Sequence, residues 1–84
     1  MHSSKDDIES VREYLDNARL AIERAQADQN GRTDAQKQMK LAEEILSEAK
    51  RNPAINNEGN AHELQRAADL LRLLEETNQA INRH

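Results

Sequence analysis

The chain has no cysteine, tryptophan or phenylalanine, one proline, two glycines and one tyrosine among its 84 residues. Without cysteine, a disulfide framework, a thiolate metal site and a cysteine nucleophile are all excluded, and a reducing compartment suits the chain. Two isolated glycines, Gly31 and Gly59, cannot build a phosphate-cradling loop. With Tyr14 as the sole aromatic residue, no stacking platform for bases is written. No apolar run approaches the ~18 residues of a membrane span, and "MHSSKDDIES" has no apolar core of a signal peptide. A cytoplasmic protein is expected, with no membrane contact.

What the chain does have is charge and helical periodicity. Sixteen acidic residues stand against twelve basic ones, for a net charge of −4. An acidic chain is a poor ligand for phosphate backbones or anionic lipids. Both signs are interspersed: Arg12, Asp16, Arg19 and Glu23 alternate down one face. Pairs at that spacing support a helix and keep its surface wet.

Three segments carry helix punctuation. "SSKDD" offers Ser3 or Ser4 as a cap, "TDAQ" offers Thr33 with Gln36, and "NAHE" offers Asn60 with Glu63. Each reads as a capping box ahead of an amphipathic run. Asn30-Gly31 is read as a left-handed stop for the first helix. Lys50 and Arg51 suit the end of the second, and Pro53 forbids its continuation. Ile55, the one large apolar residue of the "NPAINNEG" loop, should fold back onto the bundle end.

The apolar stripes follow alternating steps of three and four. They comprise Ile8, Val11, Leu15, Ala18, Ile22 and Ala25; then Ala35, Met39, Ala42, Ile45, Leu46 and Ala49; then Leu64, Ala67, Leu71, Leu74 and Ile81. Such spacing is that of helices packed in a bundle. With short loops, an all-α, up-down-up antiparallel three-helix bundle follows, with helices at about 4–28, 33–51 and 60–82 in one domain spanning 1–84. Its rival is a helical hairpin whose third helix docks only in an oligomer. Tyr14 should sit half-buried at the stripe's margin, and Asn78, inside the third stripe near the chain end, should stay wet.

Some leucines do not fit. "AADLLRLLEETNQ" places Leu70, Leu71, Leu73 and Leu74 within five positions. With Leu71 inward, Leu70 falls at the stripe's edge and Leu73 on about the opposite side. Leu20 is a similar outlier on the first helix. Leu70, Leu73, Thr77 and Ala80, with Leu20, are therefore the candidate partner-binding residues, for a partner helix or a second copy.

Candidate chemistry is sparse. His2, His62 and His84 form no helical i, i+4 pair, and no Glu-x-x-His occurs, so no metal or cofactor is expected. Ser10, Ser47 and Thr77 have no His–carboxylate set near them in sequence. A thin core is expected to leave no room for a pocket of the usual ~300–1,000 Å³. The expected function is a non-catalytic protein–protein interaction module. The alternative is a small regulatory protein contacting nucleic acid through its second helix, the most basic.

The "TDAQKQMKLAEEIL" and "HELQRAADLLRLLEETNQAI" segments resemble the short, cysteine-free helical proteins of unknown function found in Bacillus-type bacteria. That resemblance implies a cytosolic, non-enzymatic protein tied to stress or sporulation, and transfers no functional residue.

Overall fold

The structure is a computed structural model that describes residues 8–82. The expected first cap at Ser3 or Ser4, and the first turn from residue 4, lie outside the described residues. Three helices, α1 (Ile8–Ala27), α2 (Arg32–Arg51) and α3 (Ala61–Asn82), pack against one another as an all-α three-helix bundle. The third helix docks within the chain, which removes the open-hairpin alternative.

The apolar stripes become the core. Val11, Leu15, Ala18, Ile22 and Ala25 of α1 are buried, as are Ala35, Met39, Ala42, Leu46 and Ala49 of α2. Ala21 and Ser10 join them, which the period-based reading did not foresee. Ala18, Ala35 and Ala42 are wholly inaccessible. Side chains this small let helix axes close to the short end of the ~8–10 Å range. The stripe of α3 is less completely covered: Leu64, Ala67, Leu71 and Leu74 keep 6–8% of their surface, against 0–4% for the core residues of α1 and α2. Tyr14, Leu41, Ile45 and Ile81 are half-buried at the margins.

The helix starts fall where the sequence reading puts them, but the expected caps do not form. Gly31, not Thr33, occupies the cap of α2, with no side-chain cap bond, and Thr33 lies inside the first turn. At α3, Asn60 turns its amide onto the Ile55 carbonyl at 3.0 Å, and Glu63 is held by Arg12 instead of returning to the cap. At Glu63 a partner on another helix replaces the local one.

Nor is Asn30-Gly31 left-handed, since no described residue has positive φ. After α1, Asp28 adopts extended backbone and accepts the Asn30 N–H at 3.0 Å, opening a single 3₁₀ turn over Gln29–Gly31. Gly31 is needed for closeness: a Cβ there would lie 3.1 Å from the Ala25 nitrogen.

The α2–α3 connection is held by asparagines. Asn56 donates to the Lys50 carbonyl at 2.7 Å and Asn57 to the Ala54 carbonyl at 3.0 Å. These bonds satisfy backbone acceptors in the last turn of α2 and in the loop that follows it. They also seat Ile55, 4% exposed, against the core.

Candidate functional site

α1 and α3 run side by side in the same direction. Arg12 pairs with Glu63, 51 residues on, near the start of both helices. Ala25 lies beside Thr77, Ala80 and Ile81 near the end of both. Because α3 is the loosest-packed helix, a furrow remains along this seam. The flattened outline of the molecule, 41 × 25 × 15 Å over its Cα atoms, reflects the same arrangement.

The lower part of the furrow has a volume of about 760 Å³. The expectation that the thin core leaves no room for a pocket of ordinary size is therefore corrected. The space is an open groove between helices, created by the shallow seating of α3. Its floor is aliphatic, from Leu15, Ala67 and Leu70, and its walls carry Arg12, Asp16 and Arg19 from α1 with His62, Glu63 and Arg66 from α3. A second, separate space of about 420 Å³, the upper furrow, lies between Ala25, Gln26, the Gln29 turn and Arg32 on one side and Thr77, Ala80 and Ile81 on the other.

The charges on these walls are mostly engaged with each other. Arg12 Nη2 donates to Glu63 Oε1 at 3.0 Å. That guanidinium holds the Glu63 carboxyl below its usual range. Arg19 bridges Asp16 at 2.7 Å and Glu23 at 2.9 Å. Its hydrogen bond to Asp16, with the charge of both carboxylates, raises its already high pKa. Three arginines along the lower furrow are matched by Asp16, Glu63 and the Glu23 that pairs with Arg19. An aliphatic floor between charged walls suits an apolar ridge flanked by polar residues.

Three of the candidate residues, Leu70, Thr77 and Ala80, line these spaces. Leu70 packs half-buried against the core and lines the lower furrow. Thr77 and Ala80 line the upper furrow, and the Thr77 hydroxyl donates to the Leu73 carbonyl at 3.0 Å. Leu73 stands between them in register and is 60% exposed. Leu20, 38% exposed, lies one turn beyond Asp16 on α1. Neither leucine lines the lower or the upper furrow. The α1 wall and Arg66 escaped the sequence reading, because the rotation of α1 about its axis relative to α3 is not a local property.

Elsewhere, Glu43 on α2 and Glu75 on α3 share a hydrogen bond that, helped by burial, raises the Glu43 carboxyl above its usual range. Asn78 is half-buried, and its Oδ1 is shielded without a hydrogen-bond partner, as is Arg32 Nε. The expectation that Asn78 stays wet is corrected: α3 continues past it and keeps that face covered. Among the described residues no three His, Asp or Glu side chains gather as metal ligands, and no helix is long and apolar enough to cross a membrane. No family model, no curated protein and no solved structure matches this chain.

Proposed function

We propose that the chain is a non-catalytic protein–protein interaction module of the cytosol, and that it engages its partner through the side of α3 that borders the α1 furrow. The observation that carries this reading is Leu73, 60% exposed in a line with Leu70, Thr77 and Ala80. Covering a leucine side chain is worth about 1.5–3 kcal/mol. Leu73 and Leu20, the two exposed large apolar side chains among the described residues, together supply the apolar anchor of a modest, exchangeable interface. A cysteine-free chain loses nothing in a reducing compartment.

The test places a photo-crosslinking amino acid at position 73, with position 40 on the exposed face of α2 as control, in the cells the protein comes from. Adducts with protein at 73 and not at 40 are expected. Equal labelling at both positions, or none at 73, would remove this face as the contact surface.

A further inference from the structure

Asn30 precedes Gly31, the one Asn-Gly step in the chain. An asparagine so placed can lose its side-chain amide without an enzyme. The Gly31 nitrogen gives up its proton and attacks Asn30 Cγ. A bond from that nitrogen to Cγ forms, the bond from Cγ to Nδ2 breaks, and ammonia leaves with the proton. Water then opens the succinimide ring at one of its two carbonyls. One opening leaves an aspartate at position 30. The other leaves an isoaspartate, whose main chain runs through the former side chain and is longer by a methylene. Glycine suits the attack because no side chain screens its nitrogen. The loop asparagines after α2 are poorer sites. Asn52 precedes Pro53, which has no N–H. The amides of Asn56, Asn57 and Asn60 are bound to backbone carbonyls at 2.7, 3.0 and 3.0 Å. The Asn30 side chain is exposed and makes no hydrogen bond among the described residues.

We infer that Asn30–Gly31 is a site of this modification, held shut while the 3₁₀ turn is formed and released when that turn opens. The attacking nitrogen is occupied, because the Gly31 N–H donates to the Asp28 carbonyl at 2.9 Å. It is also misplaced. In the ring, that nitrogen eclipses Cβ across the Asn30 Cα–C bond. In a 3₁₀ turn ψ is about −20 to −30°, which sets it about a quarter-turn away. The turn is fixed further by the Asn30 N–H, which donates to Asp28 Oδ1 at 3.0 Å. No residue of the turn is buried, so it opens more readily than the helices on either side. The product then acts on the fold. Gly31 passes so close to α1 that a Cβ there would lie 3.1 Å from the Ala25 nitrogen. A main chain longer by a methylene cannot keep both the turn and this approach, so the isoaspartate chain is the less stable one.

The test holds the full chain in warm, mildly alkaline buffer, folded or in denaturing guanidinium chloride. Peptide mass spectrometry follows position 30, with fragmentation that tells isoaspartate from aspartate. Unfolded, Asn30 is expected to convert faster than any other asparagine of the chain. Folded, it should convert about tenfold or more slowly than that. Asp28→Ala removes the Oδ1 acceptor and should speed conversion in the fold. Asp28→Ser keeps an acceptor at that position and should stay close to the native rate. Circular dichroism checks that both variants fold. The isoaspartate fraction, separated by ion exchange, should have a lower urea midpoint than the native chain. Conversion as fast in the fold as in denaturant overturns the inference, as does none at position 30 in denaturant. A folded Asp28→Ala chain that reacts no faster than the native one removes the turn as the gate, and an unchanged midpoint removes the effect on the fold. Should Asp28→Ala fail to fold, the native chain with and without denaturant, together with Asp28→Ser, decides the matter.

Discussion

A methyl group at Gly31 would sit 3.1 Å from the Ala25 nitrogen and 3.2 Å from its Cα, both backbone atoms that cannot step aside. At Gly59 the nearest atom is the Asn57 side-chain oxygen, at 3.4 Å, which can. Gly31→Ala is therefore expected to cost about 1–3 kcal/mol in urea denaturation, the range for overpacking, while Gly59→Ala stays near the native value. Asn78 gives a prediction of opposite sign. Its Oδ1 is out of water with no donor, so Asn78→Leu removes a desolvation penalty and should gain about 1 kcal/mol in the same assay. Both residues were conspicuous in the sequence, yet for reasons that did not hold. Gly31 looked like a left-handed stop and Asn78 like a frayed end, because neither a close backbone approach nor the covering of a helix end is a local property.

At the level of elements, helix existence was legible and helix chemistry was not. α2 begins at Arg32 and α3 at Ala61, within a residue of Thr33 and Asn60. Amphipathic period and breakers decide where a helix lies, but cap side chains answer to whatever else is near. Glu63 goes to Arg12, and Asn60 to Ile55. These inter-element contacts set the pH response. Glu63 has a lowered carboxyl pKa in the fold, so its stabilisation is present above the unfolded value and is lost as pH falls through the folded one. Glu43 is raised by the hydrogen bond to Glu75 and by burial, so the folded chain binds that proton more tightly and stability falls as pH rises through the folded value. Urea midpoints followed from acid to neutral pH should peak on the acid side of neutral. Glu43→Gln should flatten the decline toward neutral pH, and gain about 0.5 kcal/mol there by removing an exposed like-charge contact.

Over the whole molecule, packing is graded. α1 and α2 close on each other through alanines with almost no residual exposure, whereas the core residues of α3 retain 6–8%. Local opening follows buried contact, so amide hydrogen exchange should be slowest in α1 and α2 and faster along α3. Equal protection in all three helices would contradict this gradient. Ile55 is the plug at the loop end of the bundle, and Ile55→Ala should cost about 2–5 kcal/mol as a cavity opens under the asparagine-pinned turn. The same gradient produces the furrow, since a third helix seated as deeply as the other two would fill it.

The sequence by itself determined three amphipathic helices, the stripes that become the core, and the two leucines, Leu20 and Leu73, left outside it. Each of these depends on a period that repeats within one segment, and is therefore local. Tertiary structure alone decided the rest: the furrow, the arginine wall that faces Leu70, the Arg12–Glu63 and Glu43–Glu75 pairs, and the close approach at Gly31. Those depend on how far each helix is rotated and slid against its neighbours, which many small contacts across the core settle together and no single segment encodes.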